Sequence, residues 1–204
     1  MTTARDLLIV ALDGGAGGAA AEQGDLSLAL AGAEVIDLLG TGAVRLDGDR
    51  IVPASQPAPQ DALLAEAVSS LVGEPPYEAL SDWLWRRGRG LAAAYRDALE
   101  AEGRLAARSR RGLFARKGNP VPAATPAHDR TVQPRATPDA ALTALAEAAG
   151  VHGERTADAP DITDDAVAAV LAAVYDAVVE LASERQRRTI SEAAFDNIWR
   201  GPVG

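Results

Sequence analysis

The sequence predicts a mainly α fold, a single helical domain with a helical-bundle core and two β-hairpins. Three observations carry this. Long stretches, Asp25–Leu39 and Thr163–Arg185 above all, place apolar residues at helical rather than alternating spacing. A helix followed by a hairpin-like segment occurs twice. Only 4% of residues are aromatic, so Leu, Val and Ala must fill the core. At 204 residues the chain is long enough for one well-buried core, and 1–204 reads as one domain.

DLLIVALD from Asp6 to Asp13 reads as an apolar arm, and Asp13–Gly24 as a flexible connector. The connector contains Gly15-x-Gly17-x-x-Ala20, which satisfies a dinucleotide-loop pattern, but a helix and then a hairpin come next, and that order is wrong for a doubly wound sheet. DLSLALAGAEVIDLL reads as one largely buried helix whose narrow polar face holds Ser27, Glu34 and Asp37. Then Val44, Leu46, Ile51 and Val52 flank Asp47-Gly48-Asp49, a hairpin signal. Gln60–Val72 has Leu63, Leu64, Ala67, Val68 and Leu71 at helical spacing, and ALSDWLWRRG forms a Trp-bearing segment. Trp83 and Trp85, two apart, cannot share a helix face; Trp83 is assigned to the core and Trp85 to an interface or a cation–π contact beneath Arg89.

A helix from Leu91 to about Glu102 ends at Gly103. Two arms, 104–107 and 112–115, then surround the basic tip Arg108-Ser109-Arg110-Arg111, giving the second hairpin. Residues 119–138, with five prolines, read as an irregular surface loop. Pro138–Ala149 is a short helix. Thr163 to about Arg185 is the longest helix, with Asp164 and Asp165 at its start and Arg185, Arg187 and Arg188 near its end, as the helix dipole favours. Thr189–Glu192 reads as a capping box that opens a separate last helix.

Charge is the most informative count. Net charge is −9, yet Arg86–Lys117 holds ten Lys and Arg against three acids, a balance of +7 that leaves −16 on the rest. Such segregation points to a local anionic partner. Without cysteine there is no disulfide, thiolate nucleophile or Cys-based zinc site, and two histidines, His128 and His152, do not make a multi-histidine centre. Asp37, Asp47 and Asp49 are explained by a helix face and turn chemistry rather than by a metal. No catalytic motif or carboxylate pair stands out, so the reading is of a non-enzyme without cofactor. The N-terminus lacks the pattern of a signal peptide, and the apolar run Ala166–Tyr175 is shorter than the roughly 18 residues of a membrane span, which makes the expectation cytoplasmic.

With these residues in place the chain resembles the Golgi phosphoprotein 3 family, in its actinobacterial-type form. The resemblance runs through DLLIVALD, LALAGAEVIDLL, AVRLDGDRIV, QDALLAEAV, LSDWLWRR, YRDALEAEGRLAARSRRGLF and TPDAALTALAEAAGV, from Asp6 to about Val151. It implies a helical, cytosolic, peripheral membrane protein on the inner face of the membrane, with phosphatidylinositol 4-phosphate as ligand and a hairpin serving membrane contact and self-association. The family's pocket residues transfer only in part. A pocket Trp falls near Glu22; a Leu-Arg-Gly arginine is here Leu30-Ala31-Gly32; and of two arginines three apart, aligned with Arg89 and Ala92, only Arg89 is matched.

The candidate headgroup-binding residues are Arg86, Arg87, Arg89, Arg108, Arg110 and Arg111, whose guanidinium forks suit phosphate oxygens. Leu113 and Phe114 beside them are candidates for membrane or subunit contact. The expected partner is an anionic phospholipid, with homo-oligomerisation through the 104–116 hairpin. Two rival readings are a winged-helix-like nucleic-acid regulator, disfavoured because GLAAAYRDALEAEG offers little beyond Arg96 to read bases, and a protein-interaction or self-assembly module.

Overall fold

The computed structural model describes residues 2–14, 23–57, 59–103, 136–151 and 162–199. Their elements are α1 (Thr3–Gly14), α2 (Gln23–Thr41), β1 (Val44–Asp47), β2 (Arg50–Pro53), α3 (Ala62–Ser69), α4 (Leu80–Arg87), α5 (Leu91–Ala101), α6 (Ala136–Ala148) and α7 (Asp165–Trp199). The fold is mainly α, as the periodicity predicts.

The apolar arm is a helix. Ala4, Leu7, Leu8 and Ala11 recur at i, i+3, i+4 and i+7, and all four are buried. The first turn of α1 is capped from outside its own sequence: Asp37 of α2 accepts hydrogen bonds from Thr3 N (2.9 Å) and Ala4 N (3.2 Å). Asp13 thus belongs to α1 and Gly24 to α2, while the glycine motif at 15–20 lies outside the described residues.

Helix α2 is the hub. Its buried positions run from Leu26 to Leu38, and it touches every other described helix as well as β1. Being apolar nearly all round, it can be surrounded without leaving polar groups unpaired. Its crossing with α7 is close because Gly32 has no side chain: a Cβ there would lie 2.3 Å from Val174 Cγ2. The helix ends in a Schellman motif, with Gly42 at φ +73°, its N–H bonded to Leu39 O, and Ala43 N bonded to Leu38 O. That turn delivers the chain into the β1–β2 hairpin, paired antiparallel from Val44↔Pro53 to Asp47↔Arg50. Gly48 at φ +60° opens its two-residue loop, the position where a type II′ turn needs glycine. Val44 and Ile51 face the core, and Val52, on the other face of the hairpin, is also buried.

Two sequence expectations change at the C-terminal end. The expected break at Thr189 is absent, and α7 runs continuously from Asp165 to Trp199. Thr189 Oγ1 instead donates to Arg185 O, four residues back, a bond that satisfies the hydroxyl inside a continuing helix. Helix α7 also exceeds the apolar length read from the sequence. Among the described residues, its Asp165–Glu192 stretch is the one long and apolar enough to cross a membrane by length and composition, with 22% of its apolar window buried. The face of Val167, Val170, Val174 and Ala177 is what ties it to the core. The second hairpin and most of the Pro-rich stretch lie outside the described residues; residues 136–138 of that stretch belong to α6.

Candidate functional site

Three of the candidate arginines sit at the α4–α5 junction, and the structure gives them different surroundings. Arg86 is exposed but engaged. Its Nε and Nη2 donate to both oxygens of Glu78 at 2.7 Å, Nη2 also reaches Ser70 O, and its guanidinium lies 5.0 Å from the Trp83 ring centroid. Trp83 is fully buried, as expected, so Arg86 roofs a core residue. The cation–π pair is thus Arg86 on Trp83 rather than Arg89 on Trp85.

Arg87 turns inward. Its Nε and Nη2 form a fork on Glu34 Oε2 and Oε1 at 2.8 and 2.9 Å, its Nη1 donates to Glu66 at 2.7 Å, and Nη2 reaches Leu63 O. Glu34 has no solvent exposure, and Tyr95, equally buried, donates its hydroxyl to Glu34 Oε1 at 3.0 Å. Burial pushes the Glu34 carboxyl up, and the Arg87 and Tyr95 bonds pull it part of the way back. For Arg87, burial opposes the charge, yet the bonds and charges of Glu34 and then Glu66 outweigh it and hold the guanidinium above its ordinary value. Both Glu34 oxygens receive donors, two from Arg87 and one from Tyr95, an arrangement that suits the ionised pair and works against the effect of burial. This network joins α2, α3, α4 and α5.

Arg89 differs from both neighbours. It is exposed, and among the described residues it makes no ion pair. It stands where the chain turns from α4 into α5, whose first turn lacks a side-chain cap of its own. Ser27 of α2 supplies one: its Oγ accepts from Ala92 N at 3.2 Å while donating to Gln23 O. At its other end α5 is tied down by Arg5 of α1, whose Nη1 donates to Glu102 at 2.7 Å and whose Nε donates to Asp61, the N-cap of α3. Arg104 and everything to 135 come immediately after; Arg108, Arg110, Arg111, Leu113 and Phe114 therefore lie outside the described residues, as do His128 and His152.

The positions where the resemblance expects further pocket arginines are closed. Ala31 and Ala92 have no exposure, and Gly32 lies directly under Val174 of α7. A cavity of about 410 Å³ does exist at the opposite end of α2, lined by Thr3, Ile36, Asp37, Leu39, Gly40, Thr41, Asp164 and Val167. Its described lining offers carboxylates and no cation, the wrong sign for a phosphate. Asp37 there is held above the usual carboxylate range by burial, partly offset by its bonds to Thr3 and Ala4. Among the described residues no group of His, Asp and Glu is arranged to hold a metal ion.

A family model for Golgi phosphoprotein 3 (GPP34) matches residues 4–193, nearly the whole chain. The chain belongs to the Golgi phosphoprotein 3 family. No curated protein and no solved structure matches it. The match extends well past Val151, where the sequence resemblance stops, and takes in most of α7.

Two features of the site escape the sequence reading. The polar face of α2 is not solvated: Ser27, Glu34 and Asp37 each serve another helix. Arg87 is the natural partner for a carboxylate in the middle of an apolar helix, and that carboxylate was the available signal.

Proposed function

We propose that this family member is a non-catalytic peripheral membrane protein that binds anionic phospholipid headgroups through its basic segment, residues 86–117. The observation that carries the reading is charge segregation: half of the chain's twenty Lys and Arg lie in this one stretch of an otherwise acidic protein. Family membership supports a headgroup of the phosphatidylinositol 4-phosphate type. The geometry refines which residues bind. Arg86 and Arg87 are held by Glu78 and by Glu34 and Glu66, so the arginines assigned to the lipid are Arg89, Arg108, Arg110 and Arg111. With Ala31 and Ala92 buried, recognition is by a charged surface rather than an enclosed pocket. Leu113 and Phe114 are assigned to the headgroup boundary.

Basic residues near an anionic leaflet contribute about 1 kcal/mol each, so four give about 4 kcal/mol, a weak, reversible and salt-sensitive attachment. Co-sedimentation with vesicles tests this, comparing neutral lipid with phosphatidylinositol, its 4-phosphate and cardiolipin at low and moderate salt, with a short DNA duplex as competitor. The Arg108/Arg110/Arg111→Ala variant should bind anionic vesicles roughly 10²-fold more weakly, and Arg89→Ala about fivefold more weakly. Failure to bind any vesicle at low salt would rule the reading out, and preferential capture by the duplex would move it to nucleic acid.

A further inference from the structure

We propose that the outward face of α7 pairs antiparallel with the same face of a second copy of this chain, about a two-fold axis near Leu181 and Ala182. The buried side of α7 is accounted for by Val167, Val170, Val174 and Ala177. On the opposite side, Ala168, Ala172, Val179 and Ile190 succeed one another at steps of four, seven and eleven residues and share a face. Val179 and Ile190 are 55% and 61% exposed, and Tyr175 beside them is 59% exposed. These are three of the five large apolar side chains exposed among the described residues, all on one helix.

The charges on α7 choose the occupant and its direction. Along α7 and the residue before it, Asp164, Asp165, Asp176, Glu180 and Glu184 come first, Arg185, Arg187 and Arg188 follow together, and Glu192 and Asp196 come last. Parallel in-register pairing would set like charges against like; antiparallel pairing can set Asp176 of one copy against Arg187 of the other. Asp165, Asp176 and Arg187 also lie eleven residues apart, on one line along the outward face. Placing Asp176 opposite Arg187 of the second copy fixes the axis between Leu181 and Ala182, and symmetry makes the contact twice. In that register Ile190 falls on the alanine stretch Ala169, Ala172 and Ala173, where small side chains let the helices approach. In the single chain Arg187 pairs with Glu184, an exposed contact three residues away that contributes little and can be exchanged. The surface is built from residues other than those of 86–117, and the inference does not depend on lipid binding.

The test uses the full chain. Light scattering across a dilution series should show a dimer. Val179→Asp should abolish it, and Asp176→Arg or Arg187→Asp alone should weaken it roughly tenfold or more, the scale of opposed like charges. Asp176→Arg combined with Arg187→Asp should restore it. Because the chain has no cysteine, single replacements report the register cleanly. At 1.5 Å per residue, the two copies of position 183 are about 4.5 Å apart along the axis and those of position 168 about 40 Å apart. Ser183→Cys should therefore cross-link on oxidation and Ala168→Cys should not. A monomer at every concentration, a charge swap that fails to restore the dimer, or cross-linking of Ala168→Cys as readily as Ser183→Cys would each overturn the proposal. So would a dimer lost on Leu113→Asp/Phe114→Asp but not on the α7 replacements, or a Val179→Asp variant that loses vesicle binding and keeps its mass.

Discussion

Replacing Arg87 by Met is the most searching test of how this fold is held together. The change keeps an unbranched, roughly isosteric stem but removes the fork on Glu34, the bond to Glu66 and the bond to Leu63 O. Tyr95 is then the one donor left to a carboxylate with no solvent exposure. Breaking a buried pair from one side costs about 3–5 kcal/mol, because the remaining charge is stranded. For a chain of this size, that lowers the melting temperature by roughly 6–20 °C. The loss should depend on pH, and its sign is set by Glu34. Burial already holds this carboxyl above its ordinary value, and removing Arg87 takes away the largest opposing contribution. A carboxyl with a raised folded pKa contributes stability below its unfolded value, about 4.3, and loses it as pH rises through the folded value. Arg87→Met should therefore be most destabilised near about pH 8 and recover toward about pH 5, by about 1.4 kcal/mol for each further unit of displacement. Denaturant titrations at the two pH values, with unchanged slope, measure it. The double variant Glu34→Met/Arg87→Met, which strands no charge, should regain at least half of the loss. A cost below about 1 kcal/mol, or one that ignores pH, would refute the account of the pair as an ionised, buried clasp.

Two further changes probe other joints. Gly32→Ala should gain about 1 kcal/mol of helix propensity yet destabilise by about 1–3 kcal/mol, since its Cβ would meet Val174 Cγ2; Val174→Ala in the same chain should relieve the clash in thermal melts. Asp61 both caps α3 and pairs with buried Arg5, so Asp61→Asn should keep most of the cap, worth about 1 kcal/mol, while Asp61→Ala loses cap and charge together. Equal destabilisation by the two would show that the cap contributes nothing.

How much of this was legible depends on the range of the interaction. Helix α2, the β1–β2 hairpin, the Gly103 terminus of α5 and the burial of Trp83 are dictated by local periodicity and turn chemistry, and the structure has them there. Helix α1 was hidden because DLLIVALD is rich in β-branched and apolar residues; its four-residue spacing, Ala4-Leu7-Leu8-Ala11, was visible but short. The continuity of α7 was hidden by Thr189, whose hydroxyl serves a cap or a back-bond equally well, and only the neighbouring turn decides. The roles of Arg86 and Arg87 could not be read locally at all. Their acidic partners lie eight to 53 positions away, and a run such as Arg-Arg-Gly-Arg looks uniformly basic until tertiary contacts divide it. The arginines beyond Gly103 stand as the sequence left them.

The double fastening of α5 has a consequence for how such proteins diversify. Its first turn is completed by a hydroxyl from α2 and its last by a guanidinium from α1, so the strut carrying residues 104 onward draws its stability from residues far upstream. Scaffold and the segment it carries are thereby uncoupled. Substitutions beyond Gly103 can change charge or length while the clasps at Ser27 and Arg5 keep the mounting fixed, so the same helical frame tolerates drift in a single stretch of chain.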